Sequence, residues 1–296
     1  MANILIAGCG DIGIRLAGLL NRQNHQVTGI RRHPPENPNE TVTFFQADLT
    51  QASSFTALSL NFDEVVFMPT PGQRSTASYQ AVYDTALENL LKHFEKAERP
   101  PHWFFISSTS VYGQSNGEWV DEDSVTETNS PSGKLIRRAE LRLLSALPET
   151  TIVRFSGIYG PGREYLLNSA RAAPEIVLDP PYYTNRIHQD DCATVLVFLI
   201  GLRLKGEKLA TCYLASDDYP APQWEVVSWM TEQLGCRPPS VKPPSTPPDL
   251  NKRCDNKRLK ALGYEFIYPD YRDGYLPMIQ KIRNDQTSSE AAKCKE

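Results

Sequence analysis

A short apolar run, Asn3 to Ala7, passes straight into Gly8-Cys9-Gly10-Asp11-Ile12-Gly13, after which Ile12, Leu16, Leu19 and Leu20 recur at helical spacing. This succession of strand, glycine loop and helix constrains the chain more than any other feature. In that setting each glycine has a mechanical reading. Gly8 permits a tight turn, Gly10 lets backbone approach a pyrophosphate, and Gly13 lets helix and strand pack closely. The N–H groups at the start of the helix, those of Asp11, Ile12 and Gly13, favour an anion. The alternative is a glycine-rich turn with no ligand, which the flanking strand and helix argue against.

The alternation continues. Apolar runs at 26–30, 42–46, 64–68, 103–106, 151–155 and 211–215 read as strands, and helical spacing recurs near 78–97, 134–147 and 191–202. Strands alternating with helices imply a parallel sheet with right-handed crossovers. Beyond residue 215 the texture changes. Pro238, Pro239, Pro243, Pro244, Pro247 and Pro248 crowd into 235–250, which reads as a rigid surface loop. The polar end, 284–296, is expected to fray.

Length and charge narrow the function classes. A chain of 296 residues suggests two domains or one large one. A net charge of −4 offers no basic excess for nucleic acid. The longest apolar run, 195–202, is far short of the ~20 residues of a membrane span, and no basic region of a secretory signal precedes the glycine loop. Six cysteines (Cys9, Cys192, Cys212, Cys236, Cys254, Cys294) lack CxxC spacing. They read as reduced thiols of a cytoplasmic protein, with no disulfide framework and no metal site expected.

The end of the second strand bears on the cofactor. An acidic residue there would bind a ribose 2′-hydroxyl, whereas arginine would accept a 2′-phosphate. Here Ile30 leads into Arg31 and Arg32, with no acid until Glu36. That favours NADP over NAD, though a solvated surface pair of arginines is the plainer alternative. Asp48, after the third strand, is placed to bond the adenine amino group or to cap the following turn.

At this point the chain resembles the extended short-chain dehydrogenases/reductases, the NAD-dependent epimerase/dehydratase family. Residues 105–113, FISSTSVYG, look like that family's strand ending in S-S-x-x-V-Y-G. Residues 154–163, RFSGIYGPGR, and 186–191, RIHQDD, are similar to two further family segments, and 257–264 to its C-terminal K-x-L-x-x-L-G-Y. The resemblance implies a Rossmann-type, doubly wound α/β parallel sheet with a smaller C-terminal substrate lobe. It implies a Rossmann domain of 1–156 plus 186–216, interleaved with a lobe of 157–185 plus 217–296. It also implies a small-molecule substrate and a homodimer.

The family's chemistry needs a Ser or Thr after the fifth strand and a Y-x-x-x-K on the next helix. Ser108 occupies the first position. The second is broken: Ser132 stands at the tyrosine and Ile136 at the lysine, while Pro131, Gly133 and Glu140 keep the register. Arg137 is the basic residue nearest Ile136 on a helix. It stays charged and cannot shuttle a proton. Ser108, Ser132 and Arg137 are thus the candidate catalytic residues, with Tyr112 and Tyr159 as acids whose plainer role is packing. Two functions stay open: an NAD(P)-dependent epimerase/dehydratase-like oxidoreductase acting by hydride transfer on a small polar or carbonyl substrate, or a non-catalytic NADP-binding redox sensor. His188 is expected to pack, and Asp190 and Asp191 to cap a helix.

Overall fold

The computed structural model describes residues 1–35, 42–244 and 250–293. Asn39-Glu40-Thr41, which fits a glycosylation acceptor by sequence, lies outside the described residues, as do Glu36, Pro247, Pro248 and Cys294. The chain divides into two compact units, 1–113 with 124–155 and 192–215, and 114–123 with 156–191 and 216–296.

The first unit is built on a seven-stranded parallel sheet. Its strands are β1 (Asn3–Ala7), β2 (Gln26–Arg31), β3 (Thr43–Gln46), β4 (Glu64–Phe67), β5 (His102–Ser108), β7 (Thr151–Phe155) and β12 (Cys212–Ala215). Their order across the sheet is β12-β7-β5-β4-β1-β2-β3, and all neighbours run parallel. The order reverses at β1, which lies between β2 and β4. An open α/β sheet binds ligands in the crevice at such a reversal, outside the carboxyl ends of the strands. The sheet is covered on both faces, so its inner strands are apolar throughout: Ile4, Leu5, Ile6 and Ala7 are all fully buried.

Helix α1 (Asp11–Arg22) buries Ile12, Gly13, Leu16, Ala17 and Leu20, one stripe of a 3.6-residue period. The single long helix expected at 78–97 is instead α2 (Thr76–Gln80), a π-helical stretch Ala81–Ala86 and α3 (Leu87–Phe94). Widening to i→i+5 leaves the spacing of apolar residues nearly helical, so the interruption is silent in the sequence. Ser130 caps α4 (Pro131–Ala146), its Oγ accepting the Gly133 N–H at 3.3 Å, and Pro131 takes the first turn.

In the second unit short parallel pairs join distant segments: β6 (Glu118–Val120) with β15 (Lys252–Cys254), β8 (Gly157–Tyr159) with β11 (Arg186–His188), and β9 (Glu175–Val177) with β14 (Ser240–Lys242). The pair β10 (Tyr183–Thr184) and β13 (Ala221–Pro222) is antiparallel. Helices α5 (Tyr165–Arg171), α7 (Gln223–Leu234) and α9 (Tyr271–Lys293) close a core around Leu167, Val226, Met230, Tyr271, Tyr275 and Ile279. Helix α6 (Gln189–Leu204) begins here, and its apolar run belongs to the sheet unit; α8 (Lys257–Ala261) is a single short turn.

Four expectations are corrected. Residues 114–123 belong with the second unit because β6 pairs with β15, and 186–191 because β11 pairs with β8. The proline-rich stretch holds the strand β14 between Pro239 and Pro243, because Ser240–Lys242 keep their backbone N–H groups free of proline and can pair with β9. The chain from 284 continues as helix α9 to Lys293.

Candidate functional site: a dinucleotide cleft and the Ser108 turn

The three glycines do three different things. Gly8 has φ +89°, and a Cβ there would lie 2.4 Å from the backbone Cα of Pro69. Its N–H and that of Cys9 donate to the Ile30 carbonyl at 3.1 and 2.9 Å, which ties the loop to β2. Gly13 sits where a Cβ would press on Ile6 at 3.2 Å, so glycine sets how closely α1 packs on β1. Gly10 is exposed, and a Cβ on it would meet nothing within 4 Å. No protein atom explains that glycine; the space beside it is open to a ligand. No side chain caps α1, Asp11 is exposed in its first turn and Ile12 is buried. Burial pushes the Cys9 thiol up to about 12 against the pull of Arg31, so it is inert packing.

A cleft of about 300 Å³ opens beside the loop, lined by Gly8, Gly10, Arg31, Arg32 and Asp48 among others. It lies at the carboxyl ends of β1, β2 and β3. Arg31 and Arg32 bring a cationic edge to it, with His33 beside them, and Ala81, Val82 and Ala86 of the π-helical stretch an apolar wall. Gln46 donates to the Arg32 carbonyl at 3.1 Å, which steadies the strand end. Asp48 Oδ1 accepts the Thr50 N–H at 2.9 Å and its hydroxyl at 2.7 Å. Partial burial would raise this carboxyl, but the two Thr50 bonds and Arg32 outweigh it and hold it below the usual range. Asp48 therefore both caps its turn and faces the cleft as an anion.

Ser108, Ser132 and Arg137 do not line that cleft. Ser108 ends β5 and its Oγ accepts the Ser110 N–H at 3.1 Å. The hydroxyl proton of Ser108 is given to no group among the described residues, so this serine is oriented by its backbone and left as a donor. A Cβ on Gly133 would lie 2.2 Å from the Ser110 carbonyl oxygen. The start of α4 thus abuts the Ser108–Ser110 turn, bringing Ser132 into the neighbourhood of Ser108. Ser132 Oγ lies 3.0 Å from Ser130 Oγ. Ile136 is buried and apolar, without ionic function.

Arg137 points elsewhere. Its Nη1 donates to Glu140 Oε2 at 2.7 Å. Glu140 is fully buried and also receives Arg154 Nε at 2.9 Å, Arg154 Nη2 at 2.8 Å and the Ser107 hydroxyl at 2.5 Å. Arg154 Nη1 donates onward to Tyr112 Oη at 2.9 Å, with its guanidinium over the Tyr112 ring. Burial opposes ionisation of Glu140, but the bonds from Arg154, Ser107 and Arg137 overcome it and hold the carboxyl below its ordinary value. Glu140 and Arg154 both sit within quoted sequence motifs, yet sequence spacing carried no sign that they meet. Tyr112, with its ring fully buried and its oxygen on Arg154, is a packing residue.

In the second unit, Tyr159 stacks on Tyr275 at 4.3 Å between centroids and meets His188 edge-on at 5.2 Å. Burial drives its hydroxyl well above the ordinary tyrosine value, so it stays protonated within this aromatic cluster. His188 packs against Tyr268 at 4.0 Å. Asp191 receives the Ile267 and Tyr268 N–H groups at 2.8 and 3.0 Å and the Tyr264 hydroxyl at 3.0 Å. That is a long-range clamp where only a helix cap was expected. No cluster of candidate metal ligands occurs among the described residues, and none of their helices is long and apolar enough to cross a membrane.

Known proteins share this framework. Protein YeeZ of Escherichia coli K12 is 28% identical over 286 residues, covering 91% of this chain and 97% of its own. A candidate NAD-dependent epimerase/dehydratase of Methylobacillus flagellatus is 37% identical and superposes with a TM-score of 0.79 over 95% of this chain and 99% of its own. A UDP-glucose 4-epimerase of Thermus thermophilus, solved in complex with NAD, shares the fold at 19% identity, with a TM-score of 0.73 over 95% and 99% of the two chains. The sequence profile of one family matches residues 4–200. Together with the reversed strand order and the glycine loop at its switch point, that match establishes that the chain belongs to the NAD-dependent epimerase/dehydratase family.

Proposed function

We propose that this chain binds NADP(H) in the Gly10 cleft, in preference to NAD(H), and acts as an oxidoreductase on a small polar or carbonyl substrate. The observation that carries the reading is the pairing of an open backbone approach at Gly10 with Arg31, Arg32 and His33 on one cleft. The pyrophosphate would lie over Gly10 and the start of α1. Arg31 and Arg32 would face a 2′-phosphate, where an acidic residue would repel it. Asp48 would accept from the adenine amino group. Bound there, a nicotinamide would supply or accept a hydride. Ser108, oriented by Ser110, would donate to the substrate oxygen on which charge develops.

A second reading has its own support. Ser132 and Ile136 stand at the acid/base positions, and Arg137 is tied to Glu140. Nothing on that face of α4 replaces the missing tyrosine. A protein that senses NADP(H) without turning over substrate fits the same cleft.

Thermal unfolding with NADP⁺, NADPH, NAD⁺ and NADH tests the cofactor. A ligand at 100 times its Kd adds about 2.7 kcal/mol. Stabilisation by the phosphorylated pair at lower concentration is expected, and a flat response to all four overturns the cleft assignment. Loss of NADPH absorbance against a panel of carbonyl and sugar substrates then separates enzyme from sensor.

A further inference from the structure

A second cavity, of about 250 Å³, lies wholly within the second unit, lined by Gly117, Pro180, Pro181, Tyr183, Asn251 and Arg253 among others. We propose that Arg253 anchors a binding site there for an organic oxyanion, a carboxylate or a phosphate monoester. The inference does not depend on the dinucleotide reading.

The guanidinium of Arg253 is clamped. It lies 4.9 Å from the centre of the Trp119 ring and 4.8 Å from that of Tyr183. Its Nε donates to the Gly117 carbonyl at 2.8 Å. The two ring contacts and the Nε bond hold the guanidinium in place, which leaves the Nη1–Nη2 edge as the remaining pair of donors. That edge meets no acceptor among the described residues, and Arg253 forms no ion pair with them. Glu118, on the neighbouring strand, bonds the Asn116 N–H and amide instead, at 2.8 and 3.1 Å.

The surroundings are held as firmly as the fork. Asn251 is buried and joins three segments. Its Oδ1 accepts the Tyr183 N–H at 2.8 Å, its Nδ2 donates to the Pro181 carbonyl at 3.0 Å, and its own carbonyl accepts the Gly117 N–H at 2.8 Å. Gly117 has φ +76°, and a Cβ on it would lie 3.0 Å from the Tyr183 ring. Glycine is therefore required both by the backbone and by the ring beneath the Arg253 guanidinium. A planar fork with two parallel donors matches an oxyanion bidentately. The cavity extends beyond the fork along Pro180, Pro181 and the Tyr183 ring, apolar walls suited to a carbon body.

The test follows Trp119, which is exposed beside the fork. Full-length protein is titrated at constant ionic strength with butyrate, propyl phosphate, inorganic phosphate and neutral butanol, reading tryptophan fluorescence. A saturable change with butyrate or propyl phosphate is expected, absent with butanol and absent in Trp119→Phe. The two anions distinguish a carboxylate from a phosphate ligand. Arg253→Gln should abolish the response, and Arg253→Lys, which keeps the charge and the stem but loses the fork, should weaken it about tenfold. The lysine variant decides the matter if the glutamine variant does not fold. An unsaturable response, or full response in the lysine variant, overturns the site. Equal affinity for inorganic phosphate and propyl phosphate overturns its organic character.

Discussion

Glu140 and Arg154 form a closed two-point pair, with Nε on Oε1 at 2.9 Å and Nη2 on Oε2 at 2.8 Å, both side chains buried. The pair joins α4 to β7, and Ser107 ties it to β5. Removing one partner leaves the other charge buried and uncompensated. Glu140→Ala should therefore cost about 3–5 kcal/mol of stability, read as a lower denaturant midpoint. The same carboxylate sets an acid limit. Its folded pKa is depressed, so its stabilisation is complete above the unfolded value near 4.3 and is lost as pH falls through the lower folded value. Unfolding midpoints measured from pH 6 to pH 3 should show that loss in the wild type and a shallower one in Glu140→Gln.

The two serines at the end of β5 should separate cleanly. Ser108→Ala removes the donor proposed for the substrate oxygen, and in any reaction the protein turns over kcat should fall on the order of 10²-fold with NADP(H) affinity nearly unchanged. Ser107→Ala instead strips a hydroxyl from buried Glu140 and should lower stability by about 1–3 kcal/mol. Steady-state kinetics with direct nucleotide titration, beside chemical denaturation, distinguishes them. Intact turnover in Ser108→Ala would show that the site does not use this serine.

Gly10 and Gly8 should respond oppositely to alanine. At Gly10 the added Cβ meets no protein atom and the backbone is extended with φ −84°, so Gly10→Ala should fold normally and lose nucleotide affinity. At Gly8 the Cβ meets Pro69 backbone at 2.4 Å with φ at +89°. Gly8→Ala should be destabilised by several kcal/mol by the clash and the strained φ. Melting curves with and without NADPH read both effects.

Replacing Arg31 and Arg32 together by serine should weaken NADPH binding about tenfold or more while leaving NADH binding nearly unchanged, since the contact proposed for them is with the 2′-phosphate alone. Calorimetric titration of both nucleotides gives the ratio. A parallel loss for both would place the arginines on the shared part of the cofactor.

The central sheet was legible because its strands, buried on both faces, are continuous apolar runs, and because a glycine loop marks the switch point. The second unit was not. Its strands β6, β8, β9, β10, β11, β13, β14 and β15 are two or three residues each, too short for any period to register, and they exist only because distant segments pair. The π-helical stretch at Ala81–Ala86 was hidden for the converse reason, since its apolar spacing is compatible with an ordinary helix.

Local sequence determined what depends on neighbours along the chain: the turn at Gly8, the open approach at Gly10, the cap at Ser130, the arginines ending β2, and the loss of tyrosine and lysine at Ser132 and Ile136. Tertiary structure alone decided what depends on neighbours in space. It tied Arg137, a candidate catalytic residue by sequence, to Glu140, made Ser107 a structural donor, and set Asp191 against the backbone of Ile267 and Tyr268. It also set the Arg253 guanidinium over the rings of Trp119 and Tyr183. A charge's role follows from which donor, opposite charge or ring the fold sets beside it, and residues 70, 76 or 134 positions apart carry no mark of that meeting.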